Sequence, residues 1–147
     1  MTMRVLIPAL PSRTLAPHGG QRDHREREDV INANQALGEA AYHAVLDTLG
    51  PDHESHAGRI TVTLTLRAAH GAKGQCPRCR ALPKCDCYRP RSPSNFSGDI
   101  CTAVLDGALR RHGIIATTTY AEIEEVRMRV EHVPTLEDEG IMVEVTE

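Results

Sequence analysis

Cys76, Cys79, Cys85 and Cys87 stand in the spacing C-x2-C-x5-C-x-C, close enough along the chain to bring four thiolates onto one tetrahedral ion. Zn2+ is the ion such a donor set takes, and four protein sulfurs leave no open position for water or substrate. The expectation is therefore a structural zinc clip that sets a shape and performs no reaction. Two other readings stand beside it. The four cysteines could form two disulfides in a secreted, loop-rich protein, but residues 1–15 carry only a short apolar run broken by Pro8 and Pro11, and the fifth cysteine, Cys101, is left without a partner. They could also be four independent thiols in a loop, although close CxxC and CxC pairs seldom arise without a ligand.

The residues around the clip carry a second kind of chemistry. Lys73, Arg78, Arg80, Lys84, Arg89 and Arg91 face a single acid, Asp86, in a chain whose net charge is -3. The whole molecule is thus no cationic nucleic-acid binder, and any affinity for phosphate must be local. Zinc on four thiolates carries a formal charge of about -2, which offsets part of the local excess and leaves outward guanidinium groups for phosphate oxygens. The plainer reading is a solvated basic loop.

The elements that must position these residues follow from pattern. A length of 147 residues suits one domain with its own core, and with aromatics at 3% and no tryptophan that core must be aliphatic. Residues 5–7 are a short strand stopped by Pro8, followed by turn and loop signals. Residues 21–29 are dense in alternating charge. Val30, Ala33, Leu37, Ala40, Ala41, Ala44, Val45 and Leu49 then recur at helical spacing, and Gly50-Pro51 ends that helix. Residues 59–68 alternate strictly, with Ile60, Val62, Leu64 and Leu66 against Thr61, Thr63, Thr65 and Arg67, which predicts a half-buried strand. The polar, Gly/Pro-rich stretch 70–97 is too long for a structureless loop unless something such as a metal orders it.

A second helix is expected over 99–112, with Ile100, Ala103, Val104, Ala108 and Leu109 as its apolar stripe and Gly113 closing it. Cys101 lies beside that stripe and reads as a small core residue rather than a nucleophile. Residues 125–133 and 141–145 read as strands with an acidic turn, 134–140, between them. The order strand, helix, strand, insertion, helix, strand, strand predicts an α+β layer of a small mixed sheet packed against two helices. No stretch approaches the ~20 apolar residues that cross a bilayer, and cysteines kept reduced point to the cytoplasm.

Three segments resemble the RusA family of Holliday junction resolvases, small dimeric metal-dependent endonucleases of bacteria and their phages. Ile7-Pro8-Ala9-Leu10-Pro11-Ser12 is similar to the family's opening strand and its proline-rich turn. Ala103-Val104-Leu105-Asp106-Gly107-Ala108-Leu109 is similar to the helix that follows the family's Asp-x-Asp-Asn motif and reads K-A-x-x-D-A-L. Residues 121–145, from Ala121-Glu122-Ile123-Glu124-Glu125-Val126-Arg127-Met128 onward, resemble the terminal strand pair. The resemblance implies a RusA-like fold over 1–147, with 70–97 as a zinc-binding insertion just before the catalytic motif.

The family's chemistry rests on clustered aspartates, because Mg2+ held on carboxylate oxygens activates water and stabilises the leaving oxygen in phosphodiester hydrolysis. In this chain the cluster is reduced. Anchored without a gap on residues 103–106, Phe96 and Gly98 stand at the two motif aspartates, Asp99 at the asparagine and Thr102 at the lysine. One gap moves Asp99 to the second aspartate and Ser97 to the first, and the lysine is still missing. The third family carboxylate falls near Thr119-Tyr120, with Glu122 the nearest acid. Asp99, Asp106 and Glu122 are the carboxylates left to hold Mg2+; their plainer roles are a helix N-cap, a salt-bridged helix residue and a charged strand entry. The resemblance thus implies a homodimer that binds branched DNA through the basic loop and residues 21–28, either cutting it with Mg2+ or serving as an inactive module that engages DNA or a protein partner.

Overall fold

The computed structural model describes residues 2–11, 24–51, 59–69, 98–115 and 123–147. The four clustered cysteines, the six basic residues around them and Glu122 lie outside the described residues. Within them the chain is a mixed α+β fold of four strands and two helices.

Strand β1 (Thr2–Ile7) is followed by helix α1 (His24–Leu49), strand β2 (Ile60–Ala69), helix α2 (Gly98–Val104), strand β3 (Ile123–Val133) and strand β4 (Gly140–Thr146). Helix α1 starts six residues before the position expected from its apolar spacing, so the charged run from 24 is helical backbone rather than loop. Its end is as expected, with Gly50 at φ 77°, the left-handed turn that caps a helix.

The sheet order is β1-β4-β2-β3. Strand β4 is antiparallel to both β1 and β2, while β2 and β3 are parallel. This corrects the simplest picture of the terminal strands as neighbours joined by a turn. The connection after Val133, which includes the 3-10 turn Leu136–Asp138, steps past the end of β2, so that β4 inserts between β1 and β2. Burial drives that choice. Ile141, Val143 and Val145 are each at most 1% exposed in the middle of the sheet, whereas β3 alternates between half-buried and exposed positions as an edge strand does.

One face of the sheet carries the helices. Met3, Val5 and Ile7, then Ile60, Val62, Leu64 and Leu66, then Ile141, Val143 and Val145 meet Leu37, Ala41 and Val45 of α1 and Ile100, Ala103 and Val104 of α2 in one cluster. The large, fully buried side chains are all Ile, Leu or Val, the aliphatic core that the scarcity of aromatics required. Each contributes about 1.5–3 kcal/mol through removal of apolar surface from water. The opposite face bears Thr61, Thr63, Thr65 and Arg67 of β2, in register with Glu125, Arg127, Arg129 and Glu131 of β3. Arg67 Nε donates to Glu131 Oε2 at 3.2 Å across that pair. The half-buried strand is more enclosed than alternation alone implied: Thr65 is 8% exposed, because β2 has a neighbour on each side.

Helix α2 does not run regularly to its end. Over Leu105–Leu109 it widens into a π-turn, in which Arg110 N–H reaches the carbonyl of Leu105 at 2.9 Å and Ile114 N–H that of Leu109 at 2.9 Å. The wider turn lets Leu105, Ala108 and Leu109 all be buried, which a 3.6-residue repeat would not allow so readily. Gly113, at φ 71°, closes it as expected.

Candidate functional site

Strands β1, β2 and β3 point the same way, because the first two are both antiparallel to β4 and the third is parallel to β2. Three strand ends therefore meet at one end of the sheet. A parallel β2–β3 pair also requires the chain to travel back between them, over residues 70–122. Residues 70–97 leave from Ala69, at this end of the sheet, and rejoin the described chain at Gly98. In open sheets this is the end at which crossover loops gather and ligands bind.

The Pro-rich turn after β1 is built by its own backbone. Ala9 N–H donates to the carbonyl of Ile7 at 2.8 Å around Pro8, a γ-turn that ends the strand abruptly. Pro11 is buried and Ala9 packs on the core, so this segment is fastened to the sheet end.

Of the three candidate catalytic acids, Asp99 lies in the first turn of α2. Asp106 lies two turns further, in the π-turn, and is exposed; its Oδ1 accepts from Arg110 Nε at 2.7 Å. Residues 99–104 between the two are α-helical, and the π-turn begins only at Leu105, so its extra residue falls after Asp106. Asp106 borders a groove of about 430 Å3 between α1 and α2, together with Asn34, Gln35, Glu39, Thr102 and Arg111. The third candidate, Glu122, lies outside the described residues, as do Cys76, Cys79, Cys85, Cys87, Lys73, Arg78, Arg80, Lys84, Arg89 and Arg91. Among the described residues no group of three or more His, Cys, Asp or Glu side chains is arranged to hold a metal ion.

The floor of the groove is a backbone contact. Gly107 faces Gly38 so closely that a Cβ on Gly107 would stand 2.7 Å from the Gly38 Cα. The two helices are clamped further along by side chains. The His112 ring stacks on Tyr42 at 4.2 Å, and its Nε2 lies 2.9 Å from the Tyr42 carbonyl; a carbonyl only accepts, so Nε2 carries the hydrogen. The Arg111 guanidinium lies 4.1 Å from the Tyr42 ring centre while donating to Glu39 Oε1 at 2.7 Å. Sequence reasoning passed over this cluster, since its members come from two helices with no shared motif. It fastens α2 to α1 and thereby fixes the helix that carries Asp99.

Cys101 is half-buried, with its Sγ 3.9 Å from the Met128 Sδ. Burial pushes its thiol pKa up, the opposite of what a nucleophilic thiolate needs. Its expected role as a small residue beside the core agrees with this packing.

The carboxylate that sequence reasoning missed is Glu139. It is the last residue before β4, only 2% exposed, and its Oε1 has no hydrogen-bond partner among the described residues. Gly140 pairs with Arg67 and Ile141 with Ile7, so Glu139 belongs to the sheet end where β1 and β2 finish. A three-acid run, Glu137-Asp138-Glu139, concealed it: only the structure separates the two exposed members from the buried one. Among the described residues no helix is long and apolar enough to cross a membrane. Compared with known protein families, with curated proteins and with solved structures, the chain finds no match.

Proposed function

We propose that the protein is a RusA-like Holliday junction resolvase homologue that binds branched DNA as a homodimer in the cytoplasm. The observation that supports this reading is the shared position of two of the resembling segments. The Pro8–Pro11 turn and the β3–β4 connection lie at the same end of a four-stranded sheet, and the basic cysteine segment leaves from that end at Ala69. DNA backbone would be held by Lys73, Arg78, Arg80, Lys84, Arg89 and Arg91, through charge-assisted contacts to phosphate.

The donor set at Cys76, Cys79, Cys85 and Cys87 suits structural Zn2+. The ion would close the segment into a clip and hold the arginines outward. Elemental analysis of the purified protein is expected to find one zinc per chain, and Cys79→Ser to lose it together with junction affinity; a metal-free wild-type protein with undiminished DNA binding would remove the clip from the proposal.

Cleavage, if the protein performs it, falls to Asp99 with Asp106 or Glu122, and Mg2+ would supply an activated water and stabilise the leaving oxygen. One observation favours a second reading, an inactive module that binds DNA or a protein partner: Asp106 is already engaged by Arg110, and Thr102 stands where the family has its lysine. A four-way junction assay with Mg2+ or Mn2+ separates the two. Cutting that disappears in Asp99→Asn is the result expected of the enzyme. Salt-sensitive binding without cutting is the result expected of the module, and no binding at low salt would overturn both.

A further inference from the structure

The geometry points to the outer edge of β3 as the surface on which a second copy of this chain docks, strand against strand and antiparallel, about a two-fold axis at Val130. β3 ends the sheet order β1-β4-β2-β3, so among the described residues it has a strand on one side only. Alternate residues of an edge strand turn their N–H and C=O groups away from the sheet, and a further strand satisfies that row. Proteins that leave such an edge unused keep it short or interrupt it with proline, lysine or a bulge. β3 is 11 residues long and reads I-E-E-V-R-M-R-V-E-H-V. After one irregularity at its start it runs in unbroken register with β2, from Thr61 opposite Glu125 to Ala69 opposite Val133. The other edge, β1, has only six residues and is stopped by Pro8.

The side chains select a second copy as the partner. Glu125, Arg127, Arg129 and Glu131 are exposed on the face away from the helices. Arg127 Nε lies 3.1 Å from Glu125 Oε2 and Arg67 Nε 3.2 Å from Glu131 Oε2, while Arg129 enters none of the described ion pairs. When a strand pairs with its own copy, residues directly opposite share a face and interact, and like charges in that position repel. An axis at Met128 would use the whole strand but set Arg127 against Arg129 and Glu125 against Glu131. Axes at Arg127 or Arg129 oppose two arginines, and an axis at Val126 leaves Arg129 against Ile123. The axis at Val130 alone gives Arg129 a carboxylate, Glu131 of the second copy, with no like charges opposed. The Glu131 carboxylate has acceptor sites for Arg67 and Arg129 together.

The helix-side face gains as well. Met128 and Val130 are half-buried at the edge, whereas Val143 and Val145, on the inserted strand β4, are at most 1% exposed. In the Val130 register the pairing covers residues 127–133, sets Val130 on Val130 and Met128 on His132, and joins the two sheets into one. The proposed reading as a resolvase calls for a homodimer without naming its surface; this assignment names one and does not depend on DNA binding.

Sedimentation equilibrium of the full chain tests it. The wild-type protein is expected to be a dimer, and Arg129→Glu, which sets two carboxylates opposite each other twice per dimer, to raise the dissociation constant roughly tenfold or more. Arg4→Glu, the same charge change on the β1 edge, is expected to leave it within about twofold. Glu131→Arg should weaken the dimer too, but an equal mixture of Arg129→Glu with Glu131→Arg restores opposite charges at both positions and is expected to form a heterodimer of near wild-type affinity. A monomeric wild-type protein, a dimer indifferent to Arg129→Glu, or a mixture that stays monomeric would each overturn the assignment. Hydrogen exchange on the unaltered protein guards against variants that misfold: amides of residues 127–133 should slow as concentration rises through the dissociation constant, and slowing confined to other segments counts against the β3 edge. Junction binding is scored separately. A β3-joined dimer that binds no DNA would sink the resolvase reading and leave this surface standing, while a junction-binding dimer joined elsewhere would do the reverse.

Discussion

Gly140→Ala is expected to destabilise the fold by roughly 2–6 kcal/mol, the combined scale of backbone strain and of forcing atoms into a filled space. Two effects coincide at this position. Gly140 has φ 145°, a region that side-chain-bearing residues rarely adopt. In addition, a Cβ there would lie 2.1 Å from the carbonyl oxygen of Ile7 and 3.2 Å from the Leu6 Cδ1. The first obstacle is backbone, the carbonyl at the end of β1, so no rotamer change relieves it. Gly50 supplies the control, because it also has positive φ, at 77°, but nothing within 4 Å of the added Cβ. Gly50→Ala is expected to cost only the strain of a left-handed residue, about 1–2 kcal/mol. Urea unfolding of the two variants checks the difference, and equal losses would show that the contact with Ile7 is not as close as the geometry has it.

Gly107→Ala should destabilise by about 1–3 kcal/mol through overpacking, while Gly38→Ala, at the other side of the same contact, should be close to neutral. The asymmetry comes from where each Cβ would point. On Gly107 it meets the Gly38 Cα at 2.7 Å and the Gly38 carbonyl carbon at 3.3 Å, so α1 must back away from α2. On Gly38 it meets nothing closer than the Gly107 Cα at 3.4 Å, an ordinary contact, and alanine in a helix recovers up to about 1 kcal/mol over glycine. Thermal unfolding distinguishes the two, at about 2–4 °C per kcal/mol for a protein near this size. Similar melting temperatures for both variants would refute the described crossing. Separation of the helices would also loosen the Arg111–Glu39 and His112–Tyr42 contacts.

Much of the scaffold was legible because it rests on local periodicity. The alternation at 60–66 gave the central strand, the spacing from Ala33 to Leu49 gave most of α1, and the glycines at 50 and 113 gave two stops. The π-turn was not legible, since Ala103, Val104, Ala108 and Leu109 fit a regular helix nearly as well. The buried state of Leu105 becomes clear only when α2 is laid on the sheet.

Composition and spacing by themselves determined an aliphatic α+β fold with half-buried and central strands in their places; the metal and phosphate roles of the cysteine segment are proposals. Tertiary structure alone decided that β4 passes between β1 and β2, that Asp106 turns to Arg110, and that Glu139 rather than Glu137 or Asp138 is withdrawn from water. The physical reason is range. A period of two or 3.6 residues is written in neighbouring side chains, whereas strand order and the burial of one acid among three depend on surfaces contributed by residues more than a hundred positions apart, as Ile7 and Gly140 are.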